Sequence, residues 1–409
     1  MEYYPRKIEL KMEAWYNREE CVILRGPRQS GKTTLFKHIC EKLDGEYMTL
    51  EDEGILRVFE ESPRMFVKRY GVKKNLFIDE VQYSKKAGRI LKFIHDTYPE
   101  LKLFITGSGS FDVKENIGGY LVGRAVYFNL KPLDFEEFLL WKDPSLHRVF
   151  MDMKDALLNF LRGEKVEFED AFSTELKEML MEYIKYGGFP AIVKEDDEQV
   201  KIELLRNLYQ TYLEKDVFFF FGVMHLEKFR QFLRYLAINN GSILELSHLS
   251  RELRADYRTL EKYISIMVNT YILSLLPSFH RNLSTELRKA KKFYFIDTGL
   301  RNAIINSYSL IEGSSEMARL LENFVHNELS EYSELKYWRT TGKAEVDFII
   351  NYEGQIVPVE VKSSGVPGRS FRSFIEHYHP QRAIVFTFAP IEIKEIGKTK
   401  VAYLPHYFV

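Results

Sequence analysis

Cysteine and long apolar runs are both almost missing from this sequence. The two cysteines, Cys21 and Cys40, are too few for a disulfide framework or a cysteine zinc site, and we expect both to be small buried side chains. The longest apolar run, at 217–224, is too short to cross a bilayer, so we expect no membrane partner. Residues 1–10 lack the apolar segment of a signal peptide. The sequence therefore predicts an intracellular, cytoplasmic protein.

The chain also has almost no net charge. Its 58 Lys and Arg balance 59 Asp and Glu, so the total charge indicates no particular partner. With 409 residues, of which 45% are apolar, the chain is long enough for two or three domains. Charged residues make up 29% and aromatic residues 14%, a composition that favours a thermophilic origin.

The segment CVILRGPRQSGKTTLFKHIC carries the clearest motif. A short apolar strand is followed by the pattern G-x-x-x-x-G-K-[ST] and then by apolar residues at helical spacing. The glycines let the loop amides point at phosphate, Lys32 reaches the terminal phosphates, and Thr33 binds Mg²⁺. The sequence therefore predicts an ATP and Mg²⁺ site. Its candidate nucleotide-binding residues in the loop are Gly26, Pro27, Arg28, Gln29, Ser30, Gly31, Lys32, Thr33 and Thr34.

Further candidates follow the next strands of this region. Asp79 is placed to hold Mg²⁺ and Glu80 to polarise an attacking water, which favours hydrolysis over transfer to a small acceptor. At the end of LKLFITGSGS, Thr106 and Ser108 either sense the terminal phosphate or only start a turn. Arg124 is either an arginine finger, acting in cis or on a neighbouring subunit, or an ordinary surface arginine.

The loop, the Asp-Glu strand end, the TGS strand end and the segment GR…LKPLDFEEF together resemble AAA+ ATPases. More narrowly, they resemble a family of archaeal and bacterial ATPases whose C-terminal domain has no assigned function. The resemblance extends to YGGFPAIV at 186–193, YLEKDV at 212–217 and the far C-terminus. It implies ATP hydrolysis and a parallel sheet in which the Asp79 and Thr106 strands lie beside the loop strand. A finger donated to a neighbour would require a homo-oligomer.

The region 228–292 is basic, with twelve Lys and Arg against five Asp and Glu. Its pattern predicts three helices, with Ser247 capping the second and Asp256 the third, and then two strands around a basic loop. This winged-helix pattern favours DNA contact through phosphates, and a protein-interaction module is the alternative. The candidate DNA-binding residues are Arg254, Arg258, Lys262, Arg281, Lys291 and Lys292.

Near the C-terminus, an amphipathic helix precedes three strands that carry acids and a lysine. Glu322 lies on the helix, Asp347 on the second strand, and Glu360 and Lys362 on one face of the third. This order resembles the PD-(D/E)xK nuclease core, although Val346 stands where that pattern has proline. The resemblance implies that Asp347 and Glu360, with Glu322 as a third candidate, hold Mg²⁺, and that Lys362 orients the attacking water. A structural ion-pair cluster, or a nuclease fold that binds without cutting, is the alternative.

We therefore expect an α/β multidomain protein of four regions. They are a P-loop AAA+ ATPase core at 1–140 with a parallel sheet and flanking helices, a helical lid or linker at 141–226, a winged helix-turn-helix at 227–310, and a restriction-endonuclease-like PD-(D/E)xK domain at 311–409. The leading hypothesis is an ATP-hydrolysing protein that acts on DNA, with a Mg²⁺-dependent nuclease activity. The alternative is a nucleotide-dependent switch whose winged helix and C-terminal domain bind protein partners.

Overall fold

The N-terminal third of the chain is built on a parallel sheet of five strands. The computed structural model describes residues 3–108, 118–223, 225–280, 286, 289–363 and 367–409. The strands are β1 Cys21–Gly26, β2 Glu46–Thr49, β3 Asn75–Asp79, β4 Lys102–Ser108 and β5 Ala125–Asn129. Their order is β2-β3-β4-β1-β5, and every neighbouring pair is parallel. The predicted parallel sheet is confirmed, with β4 and then β3 beside the loop strand.

Helices cover both faces of this sheet because β1 buries alternate side chains on opposite sides. Cys21 and Ile23 belong to one apolar core, Val22 and Leu24 to the other, and all four are fully buried. Cys40 is buried as well, so the expectation of two small buried cysteines is confirmed. The helices of this part are α1 Lys7–Glu13, α2 Lys32–Lys42, α3 Glu53–Glu61, α4 Pro63–Tyr70 and α5 Ala87–Thr97.

The middle of the chain is helical and contains one short pair of antiparallel strands. Its elements are α6 Phe135–Lys142, α7 Pro144–Arg162, α8 Ser173–Tyr186, α9 Pro190–Val193, α10 Glu198–Thr211, a π-helix Tyr212–Phe220, α11 Leu226–Ile238, α12 Leu246–Glu252, α13 Tyr257–Asn269, β6 Leu273–Leu276, β7 Lys292–Phe295 and α14 Thr298–Ile305. Within the described ranges, no helix is both long and apolar enough to cross a membrane.

The helix starts in this region test two predicted caps. Asp256 is confirmed as the N-cap of α13, since its carboxylate accepts a hydrogen bond from the Arg258 N–H at 2.9 Å. Ser247 is wrong as the cap of α12, because that helix begins one residue earlier, at Leu246, and Ser247 lies inside its first turn.

The last quarter of the chain forms a six-stranded sheet. Its elements are α15 Ser315–Leu329, β8 Lys336–Arg339, β9 Glu345–Tyr352, β10 Gln355–Val361, α16 Arg369–Tyr378, β11 Arg382–Phe386, β12 Glu392–Ile396 and β13 Thr399–Leu404. The strand order is β12-β13-β11-β10-β9-β8. Strands β8, β9 and β10 form an antiparallel meander, and β11 then pairs parallel with β10 after the crossover through α16. The predicted C-terminal α/β sheet domain is therefore present.

Helices α6 to α8 share one apolar core with α15 and this C-terminal sheet. The ring of Phe135 contacts that of Phe324 edge-on at 5.4 Å between centroids, and Tyr183 lies 5.9 Å from the same ring. The helices after α8 pack instead with α11 to α14. The domain boundaries predicted from the sequence stay predictions, and this core crosses them.

Two turns from distant parts of the chain, at Gly188 and at Asp297, are joined by hydrogen bonds between these regions. Asp297 accepts hydrogen bonds from the backbone N–H of Gly188 at 2.8 Å and of Leu300 at 2.7 Å. The Leu133 N–H donates to the Gly188 carbonyl at 2.8 Å, and a Cβ on Gly188 would lie 2.0 Å from the Leu133 oxygen. Only glycine fits so close to a backbone carbonyl. Burial raises the pKa of Asp297 to about 6.

Candidate functional site

The loop between β1 and α2 has the shape that phosphate binding requires. Gly31 is the N-cap of α2 with φ of 95°, so the free amide groups of the first helical turn face the loop. Lys32 is buried, and its Nζ donates to the carbonyl oxygens of Gly26 at 3.1 Å and Pro27 at 2.7 Å. Burial lowers the pKa of Lys32 to about 8, against the opposing effect of nearby carboxylates. The ammonium group thus lies inside the loop, where phosphate oxygens can replace the carbonyls.

The remaining loop residues have different surroundings. A Cβ on Gly26 would lie 2.1 Å from the Leu130 carbonyl oxygen, so packing demands this glycine independently of any ligand. Gln29 has φ of 60°, and the Ser30 hydroxyl is buried with no hydrogen-bond partner among the described residues. Thr34 is exposed on α2. The unsatisfied Ser30 hydroxyl is suited to receive a ligand atom, because an unpaired buried polar group costs about 1–3 kcal/mol.

Thr33 and Asp79 are brought together beside the loop. The Thr33 Oγ1 donates to Asp79 Oδ2 at 2.8 Å, and the Tyr47 hydroxyl donates to the same oxygen at 2.6 Å. Asp79 is fully buried at the end of β3. A hydroxyl and a carboxylate are hard oxygen ligands, so this pair fits Mg²⁺. Tyr47 was not predicted, because nothing in the short β2 sequence marks it.

Glu80 follows β3 directly and is held in an unusual conformation. Its φ is 57°, which costs a non-glycine residue free energy and is often found at functional sites. The Glu80 N–H donates to Asp79 Oδ1 at 2.9 Å, and the Glu80 carboxylate accepts a hydrogen bond from the Gln82 amide. Burial and then Asp79 raise the pKa of Glu80, while Lys32 and Arg28 oppose the rise. A carboxylate with a raised pKa next to the metal ligand suits a general base.

Strand β4 brings Thr106 and Ser108 beside β1. Thr106 pairs with Leu24, and Ser108 with Gly26 at the start of the loop. The Thr106 hydroxyl is buried without a hydrogen-bond partner in the described part of the chain. Since Thr106 lies inside the strand, it does not start a turn. Its sensor role stays a prediction, as does that of Ser108, whose side chain lies outside the described residues.

Arg124 lies at the amino-terminal ends of β1 and β5, whereas the loop follows the carboxyl-terminal end of β1. It precedes β5, and the register pairs Ala125 with Cys21, the first residue of β1. The phosphate loop follows the other end of β1, roughly 16 Å away at about 3.3 Å per residue. The Arg124 Nε donates instead to Asp96 Oδ1 at 2.7 Å. The prediction of an arginine finger acting in cis is therefore wrong, and action on a neighbouring subunit stays a prediction.

The sequence did not reveal two charged residues that contact the loop, Arg6 and Asp216. Arg6 donates to the Ser30 carbonyl oxygen at 2.9 Å and to Glu137 at 3.0 Å, and so ties the loop to α6. The Arg28 Nε donates to Asp216 Oδ1 at 2.9 Å. Spacing could not reveal either contact, because the partners are far apart in sequence. The segment YLEKDV, which contains Asp216, was the only signal.

The second candidate site lies on the C-terminal sheet. Asp347 and Glu360 are close because β9 and β10 are antiparallel neighbours. Asp347 Oδ2 accepts a hydrogen bond from the Val361 N–H at 2.8 Å, and Lys362 Nζ lies 2.6 Å from Glu360 Oε1. Burial and the neighbouring Glu360 raise the pKa of Asp347, and burial also raises the pKa of Glu360. The structure thus brings these three predicted residues together.

The pair of carboxylates is the part of this site that fits Mg²⁺. Glu360 Oε2 is buried and has no hydrogen-bond partner in the described ranges, which favours a cation there. Mg²⁺ is commonly held by one or two carboxylates and several waters, and Asp347 and Glu360 can provide the two carboxylates. Among the described residues, no three acidic, histidine or cysteine side chains are grouped so as to hold one metal ion. Glu322 as a third ligand is therefore not supported.

Lys292 explains where Glu322 points. Lys292 Nζ lies 3.0 Å from Glu322 Oε1 and 2.7 Å from Glu345 Oε1, and the Tyr294 hydroxyl donates to Glu322 at 2.6 Å. Lys292 is only 3% exposed. The prediction that it contacts DNA from an exposed wing is therefore wrong, since its ammonium group is buried between two glutamates.

The other basic candidates are on the surface where they are described. Arg254 is exposed in the turn before α13, Arg258 and Lys262 are exposed in the first two turns of that helix, and Lys291 is exposed before β7. Arg281 lies outside the described residues. The four exposed residues could contact phosphates, and their role stays a prediction.

The parallel sheet, the loop and the Thr33–Asp79 pair define a P-loop nucleotide-binding domain. Residues 18–139 match the family model of the AAA domain, which supports an ATPase of the AAA, P-loop type. Residues 177–309 and 317–407 match two families described only as domains of unknown function, DUF8612 and DUF4143.

Two relatives of the chain are described only as uncharacterized proteins. It is 28% identical over 360 residues to an uncharacterized protein of Methanocaldococcus jannaschii, covering 84% of this chain and 74% of that one. It is 25% identical to an uncharacterized protein of Haemophilus influenzae, with 83% and 81% covered. Among solved structures, a Walker-type ATPase of Pyrococcus abyssi is similar with a TM-score of 0.48 and 13% identity, over 74% of this chain and 96% of that one.

Proposed function

We propose that the protein hydrolyses ATP in the presence of Mg²⁺ at the loop of β1 and uses this reaction to act on DNA. The proposed ATP hydrolysis is supported mainly by the close approach of the phosphate-binding loop to the end of β3. There the Thr33 hydroxyl lies 2.8 Å from Asp79, with Glu80 next in the chain and Lys32 buried in the loop.

Each residue of this group has a distinct task. Bound Mg²⁺ would neutralise charge on the triphosphate. Thr33 and Asp79 would hold the metal, and Lys32 would exchange its loop carbonyls for phosphate oxygens. Glu80 accepts the proton of the attacking water, which its raised pKa allows.

The test is phosphate release from ATP by the full chain. Lys32→Ala should lower hydrolysis by about a hundredfold or more, as expected for loss of a charge that stabilises the transition state. Glu80→Gln should lower kcat by about 10²–10⁴-fold while ATP still binds. Lys68→Ala, an exposed lysine of α4, is the control and should change neither. Full activity in the Lys32 variant would refute the proposal.

Action on DNA is supported by the basic start of α13 and by the order of elements around it. Helices α11, α12 and α13 precede the antiparallel pair β6 and β7, as in a winged helix. Binding should weaken with salt, and each lost phosphate contact should reduce the slope of log K against log salt by about 0.9. A triple variant tests this through anisotropy of a labelled duplex; its substitutions are Arg254→Ala, Arg258→Ala and Lys262→Ala.

The matched control removes three exposed basic residues from the N-terminal third and should keep the salt slope; it combines Arg57→Ala, Lys68→Ala and Lys85→Ala. If the wild type binds no DNA at low salt, the switch that binds protein partners becomes the better account.

The C-terminal sheet is proposed to carry a Mg²⁺-dependent phosphodiesterase site. The meander β8-β9-β10 followed by parallel β11 is the strand arrangement of PD-(D/E)xK nucleases, and Asp347, Glu360 and Lys362 lie together on it. Asp347→Asn should abolish cutting in a panel of single-stranded, duplex and branched DNA, while Glu353→Gln in the exposed β9–β10 turn should not. No cutting by the wild type would remove this activity and leave the ATPase proposal standing.

A further inference from the structure

An acidic side chain contacts the phosphate-binding loop, although a loop that binds anions should avoid one. Asp216 comes from the π-helix, far from the loop in sequence, and its Oδ1 accepts a hydrogen bond from the Arg28 Nε at 2.9 Å. The two side chains are only 15% and 8% exposed. A partly desolvated bond between charged groups is strong enough to fix an arginine in place.

Arg28 lies where the phosphate-binding lysine contacts the loop. Lys32 Nζ donates to the carbonyl oxygens of Gly26 at 3.1 Å and of Pro27 at 2.7 Å, and Arg28 directly follows Pro27. The lysine of this motif reaches the terminal phosphates of a bound nucleotide. The Arg28–Asp216 pair therefore belongs to the stretch of loop beside the lysine that contacts those phosphates.

The π-helix holds Asp216 firmly. Tyr212, Leu213 and Val217 are buried in the core of the middle region. The Thr270 hydroxyl at the end of α13 donates to the Tyr212 hydroxyl at 3.2 Å. π-Helices are rare and occur often at functional sites, since they displace a side chain that a regular helix would place elsewhere.

We propose that Asp216 is a positioning residue for nucleotide recognition. It holds Arg28 where the guanidinium group contacts the terminal phosphate of a nucleoside triphosphate, so that the site prefers a triphosphate to a diphosphate. This inference rests on the proposed binding of ATP at the loop.

The test compares the affinities for a non-hydrolysable fluorescent ATP analogue and for fluorescent ADP. Arg28→Met and Asp216→Asn should each weaken binding of the triphosphate by about tenfold, the value of one bond between charged groups, and change ADP binding by less than about twofold. Asp216→Glu, which keeps the carboxylate, should restore most of the preference. Arg57→Met, an exposed arginine of α3, is the control.

The ratio of the two affinities, measured in one preparation, is unaffected by any misfolded fraction. Equal weakening for both nucleotides would leave the ratio unchanged and mean a structural role only, and unchanged affinities for both would mean that Arg28 does not contact the terminal phosphate; either result overturns the inference. If the ratio shifts as expected but the wild type releases no phosphate from ATP, the inference stands and the proposed hydrolysis fails. If the wild type binds neither nucleotide, both fall.

Discussion

Replacing Lys292 with methionine tests the unexpected contact between β7 and the C-terminal sheet. The side chain of Lys292 is 4% exposed, and its two partners, Glu322 and Glu345, are 20% and 29% exposed. Removing one member of a buried ion pair costs about 3–5 kcal/mol, because the remaining charge stays without a partner. Since water reaches both glutamates in part, we expect a loss of about 2–4 kcal/mol in the free energy of unfolding.

The assay is equilibrium unfolding in guanidinium chloride followed by the fluorescence of Trp338, which pairs with Val346 beside Glu345. The other two tryptophans of the sequence, Trp15 and Trp141, are replaced by phenylalanine in every variant so that one signal reports on this sheet. Lys291→Met is the matched control: it removes an exposed charge one residue away and should cost less than about 0.5 kcal/mol.

A second variant separates the lost charge pair from lost packing. Adding Glu322→Gln to Lys292→Met removes part of the uncompensated charge and should recover about 1 kcal/mol or more. The carboxylates raise the pKa of Lys292 despite its burial, so the pair contributes fully below the unfolded-state lysine pKa of about 10.4 and fades only above it. Equal costs for the Lys291 and Lys292 variants at pH 7 would refute the buried pair.

Three shorter predictions concern Gly188 and Asp297, whose turns are hydrogen-bonded to each other, and Arg124, which directly precedes β5. Gly188→Ala should abolish soluble expression, since its Cβ would lie 2.0 Å from a carbonyl oxygen, whereas Gly119→Ala, with no atom within 4 Å, should express normally. The pKa of Asp297 is raised to about 6 from an unfolded value near 3.9, so its share of stability is greatest at low pH and is lost as pH rises through 6. Unfolding free energies of wild type should therefore fall relative to Asp297→Asn by up to about 2–3 kcal/mol between pH 4 and 7, and a constant difference would contradict the burial. Arg124→Ala should leave ATP hydrolysis unchanged in dilute monomer; a loss that appears only at concentrations where chains associate would indicate action on a neighbour, and a loss in the monomer would contradict its position beside Asp96.

Local signals in the sequence were enough to find the nucleotide site. The motif from Gly26 to Thr33 specifies its own strand, loop and helix, and parallel strands end at the same edge, so Asp79 had to meet Thr33. The same rule also places Arg124, which precedes a strand, at the far edge. That error was therefore avoidable from the sequence.

Other features depend on contacts that no local pattern encodes. Five of the twelve positive charges at 228–292 lie at or near the two strands, and charge density alone cannot show that Lys292 turns inward while Lys291 faces solvent. The Arg28–Asp216 contact joins residues 188 positions apart. The packing of α6 to α8 against α15 was missed for the same reason, because the apolar face of a helix predicts that it is buried but not which element covers it.

The shared core of α6 to α8 and the C-terminal sheet has a consequence for synthesis in the cell. Tyr186, which ends α8, leaves the ribosome about 130 residues before Ser315, which begins α15. At roughly 5–20 residues per second, the aromatic side chains of these helices stay uncovered for on the order of ten seconds before α15, the first of the C-terminal elements that cover them, is synthesised. A chain released early exposes that surface permanently. Chaperones and proteases would therefore bind α6 to α8 first. This surface becomes inaccessible to them once translation is complete and the C-terminal sheet covers it.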